Sequence, residues 1–204
     1  MKHAKIILTA VAISAAMNVS FAGAIKPGAP KGWATSEAIG TYFSTGIDPS
    51  EQNEGHHAVF IESNPGVKDQ VGALTQTIDA TPWHGQLVEL TVTSKALDDT
   101  SAAEMWMRGS DGAAGLGHFN SVATSKLNSK GWKETKIGMV IDEKVSQLQI
   151  GFGLRGTGKI WIREIKFQAL PASTKQELEK KRRIDQEIPL GPVTTTLTNL
   201  QFIE

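Results

Sequence analysis

The chain contains no cysteine in 204 residues. That excludes disulfides, thiol catalysis, thiolate metal ligands and lipid attachment through sulfur, so the fold must rest on its core alone. Neither sign of charge is in excess, with 21 lysines and arginines against 21 aspartates and glutamates. No basic stripe stands out, and a nucleic-acid binder should show one, so no nucleic-acid partner is expected. Long apolar runs are missing too, with one exception. Residues 6 to 17 are apolar, follow Lys2 and Lys5, and lead into the small residues of "VSFAGA". Spanning a bilayer takes about 20 apolar residues. The shorter run, its basic flank and small-x-small sites ending at Ala22 or Ala24 have the form of an export signal. Residues 1–24 are therefore expected to be a signal peptide. The mature protein is then periplasmic or secreted, has no membrane span, and carries 19 basic residues against 21 acidic.

Most catalytic and cofactor signatures are also lacking. There is no G-x-S-x-G and no evident Ser/His/Asp set. His56 and His57 are adjacent, so their side chains diverge in a strand, while His84 and His118 are scattered; none has zinc-ligand spacing. The stretch "GLRGTGKI", residues 153 to 160, fits G-x-x-x-x-G-K. A phosphate loop needs Ser or Thr next and then a helix. Ile160 and the strand-like "WIREIKF" follow instead, and a glycine hairpin turn accounts better for the glycines. No cofactor is expected.

What the sequence does have is strand-like alternation. From about residue 33 to 170 run "HAVFIES", "GALTQTIDA", "LVELTVTSK", "AEMWMRG", "GHFNSV", "KETKIGMVI", "LQIGFGL" and "KIWIREIKF", punctuated by Asn64-Pro65-Gly66, Asp98-Asp99, Asp111-Gly112, residues 128–131 and Gly156-Thr157-Gly158. Short strands without helical crossovers point to an all-β, antiparallel β-sandwich. Residues 25–170 are read as that domain. After Pro171 the pattern changes. "STKQELEKKRRIDQEI" carries helix formers, candidate capping boxes (Ser173/Gln176, Thr174/Glu177) and i,i+4 pairs (Glu177/Lys181, Glu179/Arg183), so residues 171–189 are expected to be a helical linker. Residues 190–204 read as a terminal strand-like tail.

Consecutive side chains leave a strand on opposite sides, and this assigns faces. Met105 and Met107 share one side; Glu104, Trp106 and Arg108 share the other. Leu148, Ile150, Phe152 and Leu154 form an apolar row, opposed by Gln149, Gly151, Gly153 and Arg155. The glycines leave a hollow above the sheet. In residues 87–95, Val88, Leu90 and Val92 oppose Glu89, Thr91 and Thr93. Gln76 falls on an otherwise apolar row with Leu74 and Ile78, where burial would oblige it to find hydrogen-bond partners. A concave polar face carrying Glu89, Glu104, Trp106, Arg108, Asn120, Gln149 and Arg155 follows. Indole planes stack on the apolar faces of sugar rings, and neighbouring charged and amide groups take the hydroxyls. Trp106 is the expected stacking residue. Arg108, Glu104, Glu89 and Asn120 are the expected polar contacts, and Gln76 a support behind them. The alternative for the same residues is a covered Trp106 and an Arg108 paired with Glu89 or Glu104, since buried ion pairs are often structural. Trp33, Trp83, Trp132 and Trp161 read mainly as packing residues, with Trp83 and Trp132 able to rim a cleft.

Taken in order, "KGW…Y…GID" (31–48), "LTQTIDATPWHG" (74–85), "MWMR" (105–108), "FN" (119–120), "GW" (131–132) and "GFGLRGTGKIWIREIKF" (151–167) resemble bacterial jelly-roll domains of the galactose-binding-like type, similar to carbohydrate-binding modules. The resemblance covers about residues 31 to 170. It implies a two-sheet sandwich without catalysis and, for many relatives, a ligand that is unknown. Many such domains carry "W-x-D-D" after the last tryptophan, and related modules often hold a structural calcium near the chain ends. Here the run is Trp161-Ile162-Arg163-Glu164, and Arg163 puts a cation where an acid would stand, which argues against calcium there. Relatives also often begin with a strand like "N-L-x-F-E", which is missing before Trp33, while "TNLQFIE" ends the chain. Residues 197–204 are a candidate for that edge strand, in cis or from a second copy as a homodimer; the competing reading is that they begin a further domain.

The function expected from the sequence is that of an exported, non-catalytic binding domain for carbohydrate or another small polar ligand. Two other readings stay open. One is a protein–protein or self-associating accessory domain using residues 171–204. The other is a glycoside hydrolase using Glu89 and Glu104 as its carboxylate pair.

Overall fold

The computed structural model describes residues 26–98, 100–111, 121–170, 193–194 and 197. In chain order the strands are β1 (Lys26–Pro27), β2 (Ala34–Thr35), β3 (Phe43–Asn53), β4 (His56–Ser63), β5 (Val71–Asp79), β6 (Leu87–Ala96), β7 (Ala102–Ser110), β8 (Ser121–Lys126), β9 (Lys133–Val140), β10 (Gln147–Arg155), β11 (Lys159–Leu170) and β12 (Val193–Thr194). Among the described residues the one helical segment is a single 3-10 turn, Thr81–Trp83, and no helix is long and apolar enough to cross a membrane. The signal peptide expected over 1–24 and the helix expected over 171–189 lie outside the described residues, as does most of the tail.

Alternating rows fold into two sheets because each row must bury its apolar side against another. The first sheet runs β1-β3-β4-β11-β6-β9; the second runs β12-β5-β10-β7-β8, with β2 also on β5. All pairings are antiparallel except β12 on β5. Between the sheets lie Val59, Ile61, Val88, Leu90, Val92, Ile160 and Ile162 from one side. Leu74, Ile78, Met105, Met107, Leu148, Ile150, Phe152 and Leu154 face them from the other. Trp33 closes one margin of this core, its ring 5.5 Å from that of Phe152.

Two elements differ from the sequence reading. Phe43–Asn53 is an eleven-residue strand that the alternation did not mark; its register on β4 breaks between Asp48 and Gln52, where the proline and serine interrupt the pattern. The "GLRGTGK" glycines do not make a hairpin. They carry the chain from β10 in the second sheet to β11 in the first, with Gly156 at φ 69° and Gly158 at φ 138°.

The outer face of the first sheet is closed by aromatic rings and cations. Trp161, Phe60 and Ala58 form a small separate cluster with Trp132 packed against it. Trp132 and Trp161 are therefore packing residues, but on the outside of this sheet. Arg163 lies 3.8 Å from the Trp132 ring centroid, Lys95 4.6 Å and Lys159 4.8 Å from that of Trp161. Each cation is also held by an acid: Lys95 by Glu51, Lys159 by Glu62 and Arg163 by Glu164. Trp83 contributes elsewhere, packing edge-on against Phe167 at 4.9 Å.

Candidate functional site

Register brings five of the expected residues onto one surface. Across β10 and β7, Gln149 lies opposite Arg108, Gly151 opposite Trp106 and Gly153 opposite Glu104. Directly paired residues share a face, so Glu104, Trp106, Arg108, Gln149 and Arg155 lie together on the outer side of the second sheet. Thr75, on β5 opposite Gly151, and Thr124, on β8 opposite Trp106, extend that row.

Two expected residues are elsewhere, and one cannot be placed. Glu89 lies on β6, which belongs to the first sheet, where it faces outward beside Gln168 and Lys136. Alternation had placed it correctly on a polar row but could not say which sheet carried the row. The Glu89/Glu104 carboxylate pair of the hydrolase reading is therefore not assembled. Gln76 is buried and pairs with Ile150, in the inner row with Met107, so it stands on the wrong side of the sheet to support the outer face. Asn120 lies outside the described residues.

Trp106 has the expected face but not the expected exposure. Its accessible surface is 0%. The glycine hollow is where it sits: a Cβ added at Gly151 would run into the indole, and one at Gly153 would lie 3.0 Å from it. Above the ring, the Arg108 guanidinium is 4.6 Å from the centroid. At its edge, Nε1 donates to Gln149 Oε1 at 3.2 Å. Glycine backbone below and guanidinium above leave no open face for a sugar ring. The stacking platform expected of Trp106 is absent, and the alternative of a covered indole describes it better. Thr75, Thr77, Gln149 and Ser110 are buried on the same side, so this part of the face is covered.

The other end is open. A cleft of about 830 Å³ is lined by Glu104, Arg108, Arg155, Lys126, Thr124 and Ser101, among others. Lys126 pairs across from Glu104 between β8 and β7. The sequence does not single out Lys126 or Thr124, because alternation in "SVATSK" is weak and the strand-like "GHFNSV" ends at Val122, whereas β8 runs on to Lys126. The rim at Ser101 is set by Asp98, whose Oδ1 accepts from the backbone and side-chain donors of both Thr100 and Ser101. The Thr100 hydroxyl is the largest of several donors that hold the Asp98 carboxyl below its ordinary pKa. Burial, opposed in part by the nearby Glu104 charge, brings the Arg108 guanidinium down to about 10, so it stays charged at neutral pH.

Among the described residues no group of three or more His, Asp or Glu side chains could hold a metal ion. Where "W-x-D-D" would stand, Glu164 adopts φ 54° at a break in register between Arg163 and Lys166, and accepts from Asn53 at 2.7 Å and Thr93 at 3.0 Å.

No protein-family model matches the sequence, and no curated protein matches it. Solved structures do resemble it in fold. The CBM22-1 xylan-binding domain of Paenibacillus barcinonensis Xyn10C is 13% identical with a TM-score of 0.51, over 74% of this chain and 97% of that one. The enzymatically active domain of bacteriophage CBA120 tailspike protein 4 is 16% identical with a TM-score of 0.54, over 69% of this chain and 20% of that one. The CBM22-1 and GH10 modules of Clostridium thermocellum endo-1,4-β-D-xylanase 10B, complexed with xylohexaose, are 12% identical with a TM-score of 0.51, over 69% of this chain and 26% of that one. This chain thus spans about a fifth and a quarter of the last two. The structures it resembles are mostly carbohydrate-binding modules, and what it shares with them is the two-sheet sandwich.

Proposed function

We propose that this chain is an exported, non-catalytic domain that binds a saccharide in the open cleft of the second sheet. The observation that carries the reading is the cleft itself. A sheet face offers a row of fixed side chains, and here hydroxyl and charged groups converge on a concavity large enough for sugar units. Recognition runs through hydrogen bonds donated by Arg155, Lys126, Thr124 and Ser101 and accepted by Glu104, with Arg108 at the inner end; no indole takes part. The separation of Glu89 from Glu104 onto different sheets supports a binding role over hydrolysis. Residues 1–24 support export.

Calorimetric titration with a panel of defined oligosaccharides tests this. At least one is expected to bind, with Arg155→Ala and Glu104→Gln each weakening it by about tenfold, which corresponds to roughly 1.4 kcal/mol, at unchanged melting temperature. No reducing ends should be released on incubation. A panel without a single binder, or variants that bind as the parent does, would remove the cleft from consideration.

A second reading, self-association through the C-terminal segment, is supported by the pairing of Val193–Thr194 with Thr77–Ile78 on β5. Strand addition to a sheet edge can be satisfied within one chain or between two.

A further inference from the structure

We infer that the saccharide taken by this cleft presents two adjacent, unsubstituted hydroxyls, a vicinal diol, to Glu104 and Lys126. The inference rests on the carbohydrate reading and narrows it. The observation that carries it is an opposite-charge pair that does not close. Glu104 on β7 stands directly across from Lys126 on β8, and both line the cleft. Side chains paired in this way start about 5 Å apart, within easy reach of each other. Among the described residues, however, neither Glu104 nor Lys126 makes a hydrogen bond or an ion pair, with the other or elsewhere. Glu104 does act through its charge on Arg108. Its neighbours on the same face leave it approachable: Gly153, across on β10, has no side chain, and Ala102, two residues along β7, ends in a methyl.

An ionised carboxylate only accepts hydrogen bonds and an ammonium only donates them. Glu104 is partly buried and Lys126 exposed. The carboxylate has therefore given up part of its hydration without gaining a donor from the protein, and it gains most from a ligand that brings donors. A hydroxyl is donor and acceptor at once. Two on neighbouring carbons can each give a proton to one carboxylate oxygen, while one of them accepts from Lys126. A lone hydroxyl would leave one carboxylate oxygen without its donor. A carboxylate on the sugar would be repelled by Glu104, and an ammonium by Lys126. The diol meets both members of the pair together, and the Thr124 and Ser101 hydroxyls in the same lining can serve the rest of the ring. Linkage then decides recognition. Every ring of a 1,4-linked chain of common hexoses or of xylose keeps O2 and O3 free, whereas the inner rings of a 1,3-linked chain do not.

Titration of the full chain with defined oligosaccharides tests the proposal. The probes are 1,4-linked chains of glucose, xylose, mannose and galactose, a 1,3-linked chain of glucose, and the tightest 1,4-linked binder with O2 and O3 methylated. The free sugar is expected to bind at least about tenfold more tightly than its methyl ether, since hydrogen bonds to charged groups are the strong ones. Glu104→Gln and Lys126→Met should each lower affinity for the free sugar about tenfold, change affinity for the ether little, and leave melting unchanged. Lys136→Gln, on the outer face of the first sheet, should alter neither affinity. An ether that binds as tightly as the free sugar overturns the inference while leaving the carbohydrate reading intact, and so does binding confined to the 1,3-linked chain. Equal weakening of sugar and ether by Glu104→Gln also overturns it, because the carboxylate would then act only through Arg108. If no saccharide binds, both readings fall.

Discussion

At the scale of single residues, the deciding relation is between Trp106 and the two glycines beneath it. The indole occupies volume that any larger residue on β10 would claim. Gly151→Ala is expected to destabilise the domain by about 1–3 kcal/mol, the range for forcing extra methyl groups into a packed site. Urea unfolding measures this. In parallel, Trp106→Phe should remove an emission component that acrylamide cannot reach in the parent protein; a component quenched as readily as an exposed tryptophan would contradict the sealed geometry. The face of Trp106 was legible in the sequence, because alternation about Met105 and Met107 fixes it. Its burial was not. Both indole and guanidinium are compatible with a wet or a dry surface, and only the coincidence of Gly151 with Trp106 in register, a long-range fact, decides between them. The same limit applies to Glu89: its row could be read, its sheet could not.

At the scale of elements, most strands were legible from alternation and turn residues, and β3 was the clear omission. Gly46 and Pro49 interrupt its alternation, yet the chain continues through a break in register and pairs with β4 on either side. The tail is the element with most to reveal. Val193–Thr194 adds to the β5 edge in parallel, and Leu197 packs against the main core. Deleting residues 190–204 is expected to lower the melting temperature by roughly 2–4 °C, the shift that about 1 kcal/mol brings to a domain of this size. Light scattering on the same deletion reports on strand exchange, since a dimer built through this segment would revert to a monomer. Unchanged melting together with unchanged mass would show that the segment contributes nothing to the fold or its assembly.

At the scale of the whole molecule, the acidic groups set how stability depends on pH. Burial pushes the Asp48 carboxyl up, but donation from the Ser50 hydroxyl, Trp161 Nε1 and the Ser50 amide, with Lys159 nearby, outweighs it and holds the group below its ordinary value. Glu164 is held down first by Asn53, then by Thr93 and the charges of Arg163 and Lys166, against the opposing effect of burial. A carboxylate lowered in the folded state binds its proton more readily in the unfolded one. The stability it contributes is therefore complete above the unfolded value of about 4 and disappears as pH falls through the folded value. Denaturant midpoints measured from pH 7 downward should be flat at first and then drop from near pH 5. Asp48→Asn should lower the midpoint at neutral pH and flatten the acid slope; an unchanged slope would mean that this carboxylate does not couple to folding. Asp48 and Glu164 both belong to the outer layer of the first sheet, so acid should loosen that layer, and Asp98, whose carboxylate sets the rim at Ser101, should lose its hold there by the same rule.

Arg108 belongs to two environments at once, with its charge over the indole and its edge on the cleft. A charge brought to that edge would alter the electric field across the ring. The indole would then serve as an optical gauge of that edge, sealed from contact yet tuned by whatever charge stands beside it.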